Sequence, residues 1–373
     1  MNERKKIMKS PRIAVVAMLL LSASATIAAE PASTGGPSLR QASSPLPPLV
    51  EPILLVVAPD SAESPAKGRI ETVAATPAGG PPTSVSDRKA SAVPQEGPPL
   101  PLHTIEGTGG ILITPTAYLV NPGPKDSLFG KPAVSVTHVG ARRKNIQTLA
   151  LTETLFGRLE LGYGLSRFGL GTLTGDLEDA TGVDIKRNDV WLHNLNARFL
   201  VLEENSLDLP LPAITVGAHF KINDGIGTVD HRLGGVLKTA GLGHTSGIDY
   251  TLTASKTFGN VFGRPLITSA GIRFSRAAQL GYLGFGETYH PSFEANAVYL
   301  VTDWLAVAYE FRQKVNDYNH IGKLVKDEDD WQTIGLGFVI SRNLTATVGY
   351  GHFGDVLNTR ENGGWAVQVK CEF

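Results

Sequence analysis

The last nine residues, Trp365-Ala366-Val367-Gln368-Val369-Lys370-Cys371-Glu372-Phe373, decide the fold. In an extended chain successive side chains point to opposite sides. Trp365, Val367, Val369, Cys371 and Phe373 therefore share one apolar face, and Ala366, Gln368, Lys370 and Glu372 share the other. The same period of two recurs upstream. Leu159, Leu161, Tyr163 and Leu165 oppose Arg158, Glu160, Gly162 and Gly164, and Leu305, Val307, Tyr309 and Phe311 oppose Ala306, Ala308, Glu310 and Arg312. Ile334, Leu336, Phe338 and Ile340 alternate with Thr333, Gly335 and Gly337, and Leu344, Ala346, Val348 and Tyr350 with Thr345, Thr347, Gly349 and Gly351. Such alternation marks strands rather than helices.

Extended along the chain, the pattern predicts twelve strands, over 132–140, 147–156, 158–166, 190–203, 211–221, 246–257, 265–274, 290–300, 303–313, 330–340, 343–352 and 364–373. The connections between them alternate between short and long. That is the signature of an all-β, up-and-down antiparallel transmembrane barrel of the outer-membrane type, with short turns periplasmic, polar residues inside and apolar residues toward lipid. Closure also removes the unpaired strand edges that a bilayer would not tolerate. A soluble β-sandwich shares the short alternating strands but explains neither the alternating connections nor the terminal Phe. Trp365, Val367, Val369 and Phe373 form the pattern expected of a barrel-assembly signal, with the assembly machinery and outer-membrane lipid as partners. Glu153, on the face of Leu149, Leu151 and Leu155, and the short first strand are the weak points of this register.

Composition divides the chain of 373 residues in two. All of its aromatic residues (14 Phe, 9 Tyr, 4 Trp) lie at or after Tyr118, so residues 1–117 lack the side chains that supply most area to a core. Arg4, Lys5, Lys6, Lys9 and Arg12, then the apolar run Ile13–Leu21, then small residues through Ala29 read as a secretory signal peptide over 1–29. Its removal takes away a net charge of about +4 and leaves the remainder near −5. Residues 30–101 are rich in Pro, Ala, Ser and Gly and are expected to be a disordered periplasmic linker, able to dock a periplasmic partner. Ile53-Leu54-Leu55-Val56-Val57 is the one apolar patch within it. The barrel domain is then 102–373. One cysteine, Cys371, excludes an intramolecular disulfide, and a near-neutral charge argues against nucleic acid. No metal site or cofactor is expected.

The inward set contains Arg158, Glu160, Asn194, Asn196, Arg198, His219, Lys221, Arg273, Glu294, Asn296, Glu310, Arg312, Lys370 and Glu372. Basic residues outnumber acidic ones, which suggests a mildly anion-preferring lumen. Inward glycines at 162, 164, 217, 271, 335, 337, 349 and 351 suggest open space. A porin-like passive channel for small hydrophilic or amphiphilic solutes is the favoured reading. A plugged structural or assembly barrel is the alternative, since side chains and loops can fill an interior of this size.

Enzymatic activity is not expected. The local candidate for a nucleophile and base is His244-Thr245-Ser246, whose His244 and Ser246 share the lipid face of Ile248, Tyr250 and Leu252. An outer-membrane acyl hydrolase would want that placement, but no third residue follows to orient the imidazole. Arg142-Arg143-Lys144 in the first outer loop is a candidate contact for lipopolysaccharide phosphates, and Asp327-Glu328-Asp329-Asp330 lacks the spacing of a calcium loop.

Ahead of the first strand stand Leu100-Pro101-Leu102-His103-Thr104-Ile105-Glu106-Gly107 and Gly109-Gly110-Ile111-Leu112-Ile113-Thr114-Pro115-Thr116-Ala117-Tyr118-Leu119-Val120-Asn121-Pro122. This opening resembles an uncharacterised family of Gram-negative outer-membrane proteins labelled domain of unknown function 3034, from about residue 100 to the C-terminus. The resemblance implies an outer-membrane barrel and carries no catalytic or binding residues. Three glycines allow sharp turns and close backbone packing, and Pro115 stops a central strand. The segment is expected to tuck into the mouth or lumen, to begin the barrel irregularly, or to be a plain linker.

Overall fold

The computed structural model describes residues 103–124, 127–316, 318 and 325–373; the signal-peptide and linker readings for 1–101 lie outside them. Its strands are Ala133–Ala141 (β1), Asn145–Leu155 (β2), Leu159–Gly169 (β3), Asp189–Leu202 (β4), Ala213–Asp224 (β5), Ser246–Val261 (β6) and Arg264–Ala277 (β7). There follow Phe285–Leu300 (β8), Leu305–Arg312 (β9), Trp331–Val339 (β10), Leu344–His352 (β11), Gly354–Val356 (β12), Thr359–Glu361 (β13) and Gly364–Glu372 (β14). β1 to β11 and β14 close into a twelve-stranded antiparallel barrel in which neighbours in sequence are neighbours in space. β12 and β13 form a separate small hairpin. The seam joins the first strand to the last, from Ala133 opposite Glu372 to Ala141 opposite Gly364.

The alternation read from the C-terminus places the side chains. On β14, Trp365, Val367 and Val369 are exposed outward, as is Phe373 just beyond it, whereas Ala366, Gln368, Lys370 and Glu372 are buried inward. Leu149, Leu151, Leu161, Leu195, Phe199, Leu252, Tyr309, Ile334, Leu336 and Val348 continue the exposed apolar surface around the wall. An apolar outside on a closed sheet is a surface made for lipid, since every strand edge is paired. Glu153 does fall on the outward face, opposite Leu161, close to the short turn at 156–158, so the register holds. No helix among the described residues is long and apolar enough to cross a membrane.

The two ends differ. At one, strands are joined by the connections 156–158, 203–212, 262–263, 301–304 and 340–343; this is called the turn end. At the other, the loop end, most connections are longer and carry structure: helices Leu173–Thr181 (α1), Ile226–Arg232 (α2) and Val236–Thr239 (α3), the turn Ala278–Gly281, and the hairpin β12–β13. These loops are not solvated fringes. Leu173 and Leu177, Ile226 and Val229, Leu237, Tyr282, Leu283, Val356 and Leu357 are buried together in one apolar cluster that caps the barrel from inside. The first connection at this end is the exception. Residues 142–144 make a tight turn, and Lys144 is buried, donating to the Leu170 carbonyl at 2.5 Å and to Asn358 Oδ1 at 2.7 Å. The basic triplet is therefore not a free loop: Lys144 fastens the cap, while Arg142 and Arg143 remain exposed.

Candidate functional site

The lumen is occupied by the chain's own segment 103–120, nearly all of it buried. The segment enters near the turn end, rises toward the loop end and returns, so it is a plug rather than a linker or an irregular first strand. Its shape is local in origin. Thr104 N–H donates to the Thr108 carbonyl at 2.8 Å and Gly107 N–H to the Thr104 carbonyl at 3.0 Å, closing a turn with Gly107 at φ +81°. Ile105 N–H then reaches the Leu112 carbonyl at 2.8 Å, folding the segment back on itself.

Barrel side chains satisfy the plug's backbone, as a buried non-repetitive segment requires. At its start, Gln368 clasps His103: its Oε1 accepts from His103 N–H at 3.2 Å and its Nε2 donates to the His103 carbonyl at 2.7 Å. The imidazole sits between Ser135 Oγ and Thr152 Oγ1, at 2.9 and 2.7 Å. At the apex, Glu310 Oε1 accepts three consecutive amides, Leu112, Ile113 and Thr114, at 3.0, 2.9 and 2.8 Å, and Thr114 Oγ1 at 2.8 Å. Glu160 accepts from Gly109 N–H ahead of the apex and from Val120 N–H on the return, while Arg198 Nη1 and Nη2 donate to the Thr116 and Tyr118 carbonyls. Asn196 Nδ2 serves the carbonyls of Glu106 and Gly107, Asn296 Nδ2 serves Thr114 Oγ1 and Pro115, and Ser255 Oγ accepts from Ala117 N–H at 2.7 Å. Tyr118 closes the exit, its hydroxyl donating to Glu204 at 2.5 Å.

The plug also contributes a charge. Glu106 lies against Lys221 Nζ at 2.5 Å, Arg312 Nη1 at 2.7 Å and Arg273 Nη2 at 3.2 Å. Those cations are shared with barrel carboxylates: Asp249 holds Lys221 and Arg273, and Glu294 holds Arg273 and Arg312. Buried ions persist only when paired and hydrogen-bonded, so this network locks the plug's position.

Every inward residue named from the alternation is buried except Arg158, which is half-exposed and paired with Glu203 at 2.6 Å. Arg158 has inward parity but sits in the turn before β3, where the wall has ended. His219 is held between Asn196 and Thr251, Lys370 pairs with Glu372 at 2.6 Å, and the Asn194 side-chain amide is buried without a hydrogen bond among the described residues. Without Arg158 and with Asp249 and Glu106 included, six buried carboxylates stand against five buried cations in this set, which corrects the expected positive lumen. Asp249 was legible from its place between outward Ile248 and Tyr250. Glu106 was not, because nothing local places it.

Three of the eight inward glycines correct the expectation of open space at their positions. A Cβ at Gly162 would stand 2.4 Å from the Gly107 carbonyl oxygen, and one at Gly164 2.7 Å from that of Glu106. One at Gly349 would meet Leu112 Cδ1 at 2.6 Å. These positions are small because the plug uses the room.

The remaining candidates have structural partners. His244 Nε2 contacts Glu287 Oε1 at 2.8 Å on the exposed rim, a carboxylate neighbour the sequence did not reveal, and no hydrogen bond joins His244 to Ser246 among the described residues. In the acidic run, Glu328 pairs with Lys314 at 2.6 Å and accepts from Gln279 N–H, Asp329 accepts from Asp355 N–H, and Asp330 accepts from Lys314 N–H. Among the described residues no cluster of His, Cys, Asp or Glu is arranged to hold a metal ion.

A closed sheet with a lipid-facing exterior and a hydrogen-bonded insert defines a plugged transmembrane β-barrel. The chain belongs to the family described as Protein of unknown function (DUF3034), whose model matches residues 101–370. Comparison with curated proteins finds no match. Among solved structures the chain is similar to the KdgM porin, at 10% identity and TM-score 0.40, covering 65% of this chain and 99% of that one. It is also similar to an outer-membrane channel from Pseudomonas putida F1, at 12% identity and TM-score 0.38, covering 68% and 100%. Outer membrane phospholipase A from Escherichia coli matches at 10% identity and TM-score 0.31, covering 65% and 95%.

Proposed function

We propose that this protein is an outer-membrane channel held closed by its own N-terminal plug. Small solutes pass only when segment 103–120 leaves its seat, which narrows the porin-like passive channel expected from the sequence to one that is closed at rest. The observation that carries this reading is Glu106, a plug carboxylate embedded among Lys221, Arg273 and Arg312 of the wall. Displacing that carboxylate leaves three buried cations undercompensated, a trigger that the plug's apolar contacts through Ile105, Leu112 and Ile113 would not by themselves supply. In this reading the turn end is periplasmic, as barrels with short periplasmic turns are built. Residues 30–101 lead directly into the plug, so a periplasmic partner that engages them acts on the gate. Trp365, Val367, Val369 and Phe373 present the outward aromatic and aliphatic face for assembly.

Planar-bilayer recording tests the reading. The native chain is expected to be silent or to show rare brief steps, and Glu106→Ala, which leaves the three cations short of one partner, to show frequent ones. Steady ohmic conductance from the native protein, or silence from the variant with its plug shown to be displaced, would overturn it.

A further inference from the structure

Above the plug, between its apex and the loop-end cap, lies a cavity with walls that are mostly apolar. Ile105, Leu112 and Ile113 of the plug form one side, and Ile146, Phe168 and Phe353 belong to the others, with Lys144, Asn145 and Glu361 at its polar edge. One hydrogen-bond donor on this wall, Trp331 Nε1, has no partner among the described residues, and its side chain is almost fully buried, at 5% exposure. A buried N–H with no acceptor costs about 1–3 kcal/mol and calls for an explanation.

We propose that this cavity binds a small amphiphile, a single alkyl chain or aromatic ring with one hydrogen-bond-accepting head. The head, a carbonyl or carboxylate oxygen, accepts from Trp331, and the body lies against the aliphatic and aromatic wall. Polyhydroxylated solutes are disfavoured, since most of their hydroxyls would be buried without partners against Ile146, Phe168 and Leu112. The site goes beyond the closed-channel reading. Binding needs no movement of the plug, so the two stand or fall separately, although an occupant would touch the plug at Leu112 and Ile113.

The test uses the full chain in lipid nanodiscs with Trp191, Trp304 and Trp365 replaced by Phe, leaving Trp331 as sole fluorophore. Titration with 2-bromooctanoate is expected to quench Trp331 saturably, because bromine quenches on contact. Octanoate should reverse the quenching and octane should do so at least tenfold less well. Competition by 2-octanone as well as octanoate assigns the head as any carbonyl; competition by octanoate alone assigns a carboxylate. Trp331→Phe, read by calorimetric titration with octanoate, should weaken binding about tenfold, the loss of one hydrogen bond at an otherwise intact site. Ile146→Phe, which fills the cavity, should abolish it. Quenching that rises without saturation, or that is unchanged in Ile146→Phe, overturns the proposal. A diazirine-bearing octanoate photolysed with the unmodified chain gives an answer independent of variant folding. Label on Trp331 or Phe353 supports the site, and label confined to outward residues such as Leu336 and Val348 contradicts it.

Discussion

Arg198 meets Glu160 inside the lumen as a fork: Nε and Nη2 lie 2.8 Å from Oε1 and Oε2 respectively, with both side chains essentially fully buried. The pair faces across adjacent strands β3 and β4, and its remaining donors and acceptors all go to the plug. It is thus a two-point clamp oriented by the wall, with the planar guanidinium suited to it in a way an ammonium is not.

Arg198→Ala is expected to destabilise the folded barrel by about 3 to 5 kcal/mol, because Glu160 is left buried without its countercharge. Glu160→Gln in the same chain should recover part of that loss, since a neutral amide is cheaper to bury. Urea unfolding in lipid vesicles, with the fork's contribution separated by a double-mutant cycle, checks both.

Gly164→Val should displace the plug without touching a charge. A side chain at 164 begins 2.7 Å from the Glu106 carbonyl oxygen and 2.9 Å from its carbon, and backbone atoms cannot step aside as a flexible side chain would. The variant should retain heat-modifiable gel migration, since strand β3 tolerates a β-branched residue, while its 103–120 segment becomes open to added protease. Protection equal to the native chain would show that the plug does not rest on Gly164.

The strands were legible because each alternates around a lipid-facing side. β4, β6, β9, β10, β11 and β14 start or end within about two residues of the sequence reading at most boundaries. The longest discrepancy, β8 beginning at Phe285 rather than 290, arises where the preceding loop folds inward and Phe285 is wholly buried. The plug resisted reading for a physical reason. Beyond its local turns, the hydrogen bonds that seat it run to residues such as Glu310, Glu160 and Gln368, which lie 40 or more residues away, and leave no periodicity in Thr104 to Val120. Three of the glycines that signalled room in the lumen, Gly162, Gly164 and Gly349, face the plug instead. Likewise Lys144 looked like a surface charge because its partners, Leu170 and Asn358, come from two later loops.

Lys144 gives the loop-end cap a pH dependence. Burial lowers its pKa from the ordinary 10.5 to about 8, only partly offset by the attraction of Glu361 and Asp176. The unfolded or opened cap therefore binds more protons than the closed one between those values, and closure becomes more favourable as pH rises from about 8 toward 10.5. Below pH 8 the lysine is charged in both states and contributes no slope. Protease cleavage within 353–363 should slow as pH rises through this window, after correction for the protease's own activity. In Lys144→Met that pH dependence should vanish, and its persistence would assign it to another group.

The central claim, that segment 103–120 fills and closes the lumen, is tested most directly by hydrogen–deuterium exchange on the unmodified chain in lipid vesicles. The amides of Leu112, Ile113 and Thr114 are donated to Glu310 behind a closed wall. Peptides covering 103–120 are predicted to exchange as slowly as those of β3 and β14, over minutes to hours. Exchange of that segment within seconds, at the rate of an unprotected loop, while the strands stay protected, would contradict it.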